Sequence, residues 1–129
     1  MPIELSRDAF KELSETAAVP KYDPRLLKPG IVHFGVGNFH RAHQAVYLDD
    51  LFNTGRGHDW ALVGAGVRPA DEAMRKKLMA QDWLTTVVEQ EAEHSSARVT
   101  AVTFMASRTL RPLSLAPKSN HSAASGLLV

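Results

Sequence analysis

The stretch that decides the fold is Gly30-Ile31-Val32-His33-Phe34-Gly35-Val36-Gly37-Asn38-Phe39-His40-Arg41-Ala42-His43-Gln44-Ala45-Val46-Tyr47. A short apolar run of strand formers, residues 31–34, leads directly into Gly35 and Gly37. From Asn38, a residue type that caps helices well, Ala42, Ala45, Val46, Leu48 and Phe52 recur at helical spacing over residues 39–52, and Gly55 supplies the stop. The pattern predicts strand, glycine turn, helix. In that geometry glycines allow a tight turn and close backbone approach, while free N–H groups and the positive helix end favour an anion. A pyrophosphate site is one reading and a plain structural turn the other, because the third glycine of the dinucleotide fingerprint would fall at His40. There an imidazole has to be housed between helix and strand.

Towards the C-terminus, residues 60–67 read as a second buried strand, and Pro69 begins a helix running through Ala73, Met74 and Leu78. This completes a βαβ unit. Gly64-Ala65-Gly66 also ends a strand ahead of a helix, with Glu89 at a suitable distance to hold a ribose, so pattern counting alone does not separate the two Gly-x-Gly elements. Asp71 has two readings as well, an acceptor for ribose hydroxyls or an acid in a helix first turn. Residues 84–89 and 98–104 are rich in β formers on either side of a polar stretch, 91–96, which predicts a hairpin. Beyond residue 105 the serines and prolines show no periodicity, and residues 106–129 read as an irregular tail.

Towards the N-terminus, Pro20, Pro24, Pro29 and Gly30 punctuate an extended lead-in. Ahead of it Ser6 is placed to cap a short helix with Asp8 in its first turn and Phe10, Leu13 and Ala17 on one face. The expected organisation is residues 1–29 as helix and lead-in, 30–105 as a partial α/β domain with the βαβ unit of the Rossmann type and an added β-hairpin, dinucleotide-binding on the first of the two readings, and 106–129 as tail.

Composition narrows the chemistry. With 129 residues, 44% of them hydrophobic and 22% charged, the chain has the balance of a single globular domain. The absence of cysteine excludes disulfides, thiolate metal sites and thiol catalysis and permits a reducing compartment. Residues 1–10 carry Glu4, Arg7 and Asp8 and do not read as a signal peptide, and no window approaches the roughly 20 apolar residues of a membrane span. Cytoplasm, without a membrane partner, is the expectation. All 14 acidic residues lie at or before Glu93, leaving Arg98, Arg108, Arg111 and Lys118 unopposed, but these cations with no aromatic after Phe104 make too thin a footprint for nucleic acid. His40 and His43, three apart, lack a third ligand, so no metal site is expected; Arg41 could lend charge near a phosphate or be an ordinary helix arginine.

The quoted stretch, with Phe39-His40-Arg41-Ala42-His43 after the paired glycines, resembles the signature of the polyol-specific long-chain dehydrogenase family, to which the mannitol dehydrogenases belong. The likeness continues through Asn53-Thr54-Gly55, Trp60, residues 64–68 and Gln81-Asp82-Trp83-Leu84-Thr85-Thr86, covering roughly residues 20–105. It implies that Gly35, Val36, Gly37, Asn38 and Phe39 form the pyrophosphate turn, with His40 standing in place of the third glycine and Arg41 beside it. It also places Asp71 near the adenosine ribose, where a carboxylate repels a 2'-phosphate and favours NAD over NADP, and counts Arg68 among the cofactor-binding residues. Ala70 stands where related enzymes often carry a second acid.

The resemblance further implies an oxidoreductase that passes a hydride between C2 of a polyol such as D-mannitol and NAD, giving a ketose such as D-fructose; fructuronate and tagaturonate reductases share much of the signature. The family's lysine general base, with its asparagine and histidine helpers, belongs to a second, mainly helical domain. No catalytic residue is therefore assigned here, and a polyol or ketose partner is expected only together with that domain. The family's next parallel strand is expected after the hairpin, yet residues 106–129 carry no such strand, which suggests a truncated gene or out-of-frame tail. A partial sheet of this kind should leave an edge and an apolar face uncovered. A nucleotide-binding module without chemistry and a decayed fragment are the alternatives from other classes.

Overall fold

The computed structural model describes residues 2–105. Strand β1, Pro29–Phe34, runs parallel to β2, Ala61–Ala65, with Val32 opposite Val63 and Phe34 opposite Ala65. A third strand, β5 (Thr103–Met105), lies parallel on the other side of β2, so the order across the sheet is β1-β2-β5. Between β2 and β5 stand helix α3, Asp71–Ala80, and an antiparallel hairpin of β3, Thr85–Gln90, and β4, Ser95–Thr100. Three parallel strands added in chain order, joined by crossovers, are half of a doubly wound sheet.

The predicted βαβ unit and hairpin are both present, and the differences lie in how elements end. Residues 98–104 do not form one strand. They are divided at Ala101-Val102, where the chain leaves the hairpin and enters the parallel sheet, so the third parallel strand sought beyond residue 105 begins at Thr103. Ser6 makes no side-chain cap, and the N-terminal segment is a 3-10 turn, Arg7–Ala9, continued by only one short helix, α1 (Phe10–Leu13). Its apolar face is as expected: Leu13 is buried, and Phe10 and Ala17 pack against the core. The lead-in then joins the hairpin edge, with Ala18 N–H donating to Ala97 O and Val99 N–H to Ala18 O.

Residues 38 and 39 are already helical, and the helix passes through a π turn, His40–Gln44, before becoming the regular helix α2, Ala45–Asn53. The first i→i−4 hydrogen bond runs from Arg41 N–H to Gly37 O at 3.1 Å, so Gly37 rather than Asn38 occupies the cap position. The core sits between this helix, the sheet and the hairpin, with Phe52, Leu62, Leu84, Val99 and Val102 almost completely enclosed. On the sheet face opposite His33, Val32 and Phe34 remain 45% and 47% exposed, and among the described residues no strand pairs with the outer edge of β1. Parallel sheets normally have both faces covered, whereas among the described residues this apolar face is open.

Candidate dinucleotide-binding site

At the C-terminal ends of β1 and β2 the two Gly-x-Gly elements meet. Gly35 N–H donates to Ala65 O at 2.9 Å, and Gly35, Val36, Gly37, Gly66, Arg68, Ala70, Asp71 and Met74 line one cleft of about 190 Å³. The two glycine motifs are therefore two walls of a single place. Ligands of open α/β sheets sit in such crevices outside the carboxyl ends of the strands.

The glycines of the two walls serve different ends. Gly35 has φ of +84°, a conformation that side chains disfavour, and neither Gly35 nor Gly37 has any heavy atom within 4 Å of where a Cβ would stand. The space beside them is open. The amides of residues 38–40 stand ahead of the first intrahelical bond, so the open space adjoins a helix end whose N–H groups need acceptors. At Gly66, by contrast, a Cβ would come within 2.8 Å of the Asp71 Cβ, so this glycine lets α3 start close against the strand.

Asp71 is the first residue of α3, entered through a turn at Pro69 and Ala70. Its Oδ2 accepts from the backbone N–H of Val67 at 2.9 Å and of Arg68 at 2.8 Å, tying the start of the helix to the loop that leaves β2. Those hydrogen bonds, Arg68's first, hold the carboxyl below the usual aspartate range, with the Arg68 guanidinium 3.6 Å from Oδ1 adding to the effect. The helix-acid reading is thus realised at one oxygen, while the residue still lines the cleft.

His40 is only 1% exposed. Its Nε2 shares a hydrogen bond of 3.0 Å with Thr103 Oγ1, and its ring meets that of His33 edge-on at 4.7 Å. Where a third glycine would let helix and sheet touch, an imidazole is inserted instead, and the helix is widened into its π turn at that residue. Burial, reinforced by the neighbouring His33 and Arg41, depresses the His40 pKa to about 4. The ring is therefore neutral at physiological pH.

The other expected site residues are not all gathered in the cleft. Asn38 and Arg41 line an adjoining groove with Thr85–Val88 of β3, where the Arg41 guanidinium donates to Asn38 Oδ1 at 3.0 Å. Phe39 is 68% exposed and lies tilted against His43. His40 and His43 thus point to different surroundings, and among the described residues no group of three or more His, Cys, Asp or Glu is placed to hold a metal ion. Glu89, the proposed partner of the second glycine motif, lies exposed on the hairpin opposite Ser96, away from the cleft lining. Sequence reasoning missed His33, whose Nδ1–H donates to the Gly35 carbonyl at 2.7 Å; the signal was a histidine inside an apolar strand. A larger hollow of about 340 Å³, between Arg7, Tyr22, Asp23, Arg25 and Asp82, is built from the N-terminal segment rather than the strand ends.

A parallel half-sheet with a glycine turn at its carboxyl end defines a Rossmann-type α/β domain. The model of the family described as the mannitol dehydrogenase Rossmann domain matches residues 29–116, and the chain belongs to that family. The mannitol 2-dehydrogenase of Cereibacter sphaeroides is 59% identical over 91 residues, which are 70% of this chain and 19% of that protein. That of Pyricularia oryzae is 45% identical over 92 residues, 71% of this chain and 18% of that protein. Among solved structures, the ternary complex of Pseudomonas fluorescens mannitol 2-dehydrogenase with NAD and D-mannitol superposes with a TM-score of 0.74 at 36% identity, covering 80% of this chain and 22% of that one. A substrate-free D-sorbitol dehydrogenase gives 0.67 at 34% identity, covering 78% and 22%. The chain spans about a fifth of the length of these relatives. Among the described residues, no helix is long and apolar enough to cross a membrane.

Proposed function

We propose that the cleft binds NAD, and that the chain supplies the cofactor-binding part of an oxidoreductase that interconverts D-mannitol and D-fructose. The observation that carries this reading is the open space around Gly35 and Gly37 beside helix-start amides that precede the first intrahelical bond, in a chain whose relatives are mannitol 2-dehydrogenases. The fit is specific in kind: any side chain at residue 35 or 37 would take up room that a diphosphate needs.

Gly35, Val36, Gly37, Asn38 and Phe39 hold the pyrophosphate through their backbone, with Arg41 contributing positive charge from the neighbouring groove. Asp71 accepts the ribose hydroxyls and, being ionised, disfavours a 2'-phosphate, with Arg68 beside it. His40 keeps the helix at the distance the turn requires. NAD held there would supply hydride-transfer chemistry for the polyol carbon. The residues of this chain bind and orient, while the proton transfer and the polyol contacts come from sequence that the relatives carry outside the matched segment. A cytoplasmic location is part of the same proposal, and the cysteine-free composition permits it.

Calorimetric titration with NADH should show saturable binding, and Gly37→Val, which fills the open space, should weaken it at least about tenfold. A cooperatively folded chain that takes up no NADH would overturn the proposal. With mannitol and NAD the chain alone should give no turnover.

A further inference from the structure

The turn after β1 is held from two directions. Gly35 N–H is bound to Ala65 O, and its carbonyl accepts from His33 Nδ1 at 2.7 Å. A carbonyl only accepts, so this contact fixes the proton on His33 Nδ1. Glycine passes between conformations at little steric cost, and Gly35, at φ of +84°, has no side chain to restrain it. His33 removes that freedom. The described peptides contain no cis bond, and in a trans peptide the carbonyl and the next N–H point opposite ways. Tying the Gly35 carbonyl to His33 therefore turns the Val36 N–H away from His33, and Val36 lines the cleft.

His33 is itself held. The His40 ring meets it edge-on at 4.7 Å, and His40 Nε2 is bound to Thr103 Oγ1 on β5 at 3.0 Å. Thr103, His40, His33 and the Gly35 carbonyl form a continuous chain beneath the turn, running from the third strand of the sheet to the first. His33 does not line the cleft, so its contact with Gly35 acts on the site only through the backbone.

We propose that His33 is a positioning residue for the cofactor turn: its Nδ1–H sets the sense of the Gly35–Val36 peptide so that the Val36 amide is available to a diphosphate. This rests on the reading of the cleft as a dinucleotide site. The substitution His33→Asn keeps a donor close to the position of Nδ1, whereas His33→Leu removes it. With folding checked by thermal melting, His33→Leu should weaken NADH binding roughly five- to tenfold, and His33→Asn should bind within about twofold of the parent. Equal weakening by both variants at matched midpoints would show that the ring's bulk matters and not its donor, and unchanged binding in His33→Leu would remove the role; either overturns the proposal. Scalar coupling across the hydrogen bond, from His33 ¹⁵Nδ1 to the Gly35 carbonyl ¹³C, should be measurable in the cofactor-free chain, and its absence also overturns it. A parent chain that shows the coupling and binds no NADH sinks the site reading instead, and leaves His33 as a structural clamp only.

Discussion

At its C-terminal half, helix α2 buries Asp49 among partners on three sides, whereas the π turn a few residues earlier buries polar atoms with none. Tyr22 donates to Asp49 Oδ1 at 2.5 Å, Asn53 donates to Oδ2 at 3.2 Å, and Arg98 lies 3.9 Å from Oδ2 while pairing with Asp50 at 2.7 Å. The Tyr22 hydroxyl in turn accepts from Ala101 N–H, so the lead-in, the helix and the hairpin meet at one carboxyl. At the π turn, His40 Nδ1, Arg41 Nε and Gln44 Oε1 are buried without a hydrogen-bond partner, three of the four such side-chain atoms among the described residues. Buried polar groups are ordinarily satisfied, and each exception costs stability. One end of the helix is thus completed by the chain itself; the other, next to the glycine turn, carries a local cost of the kind found where a ligand is to be placed.

If the closed end carries the fold, the substitution Asp49→Ala should have the largest effect. Leaving the Tyr22 hydroxyl and the Asn53 amide without their acceptor, while Arg98 keeps Asp50, should cost about 3 kcal/mol in urea unfolding, with NADH affinity of the folded fraction little changed. A variant as stable as the parent would mean that the clamp contributes nothing.

The open end should show itself through pH. His40 has an ordinary value of 6.5 and a folded value of about 4, lowered first by burial and then by His33 and Arg41. The fold therefore binds fewer protons there than the unfolded chain does. Its contribution is complete above pH 6.5 and is lost as pH falls through 4, with a slope of up to about 1.4 kcal/mol per pH unit. Asp49, raised above the usual aspartate value of 3.8 chiefly by burial, contributes in the opposite sense, giving stability at low pH that is lost as pH rises through its raised value. The His40 part is for that reason read as the difference between the parent and His40→Gln, in which the steeper acid loss should vanish. Equal pH slopes in the two proteins would contradict the assignment.

A smaller stability change is expected at Gly35, where alanine must adopt φ of +84°. Gly35→Ala should lower stability by about 1–2 kcal/mol and weaken NADH binding roughly tenfold. Loss of stability without loss of binding would separate the turn's shape from its function.

The strand, glycine turn, helix and second strand were legible because their periodicities are local and strong. What stayed hidden depends on partners far away in the chain. Residues 98–104 read as one strand since Ala101 and Val102 continue the apolar run, and nothing in that run encodes that Ser95–Thr100 pairs with the hairpin while Thr103–Met105 pairs with β2. The cap at Gly37 instead of Asn38 is a one-residue matter that side-chain preference does not decide. The π turn follows from an imidazole that bonds Thr103, 63 residues on. For the site, the sequence pointed to Gly35, Gly37 and Asp71 individually, but gave no sign that the second glycine motif forms the opposite wall of the same cleft.

Backbone amide resonances followed during NADH titration test the central claim most directly. The account predicts saturable shifts concentrated at residues 35–40 and at residues 66–71. Shifts centred on the hollow around Arg7, Asp23 and Arg25, or none at either glycine motif, would contradict it.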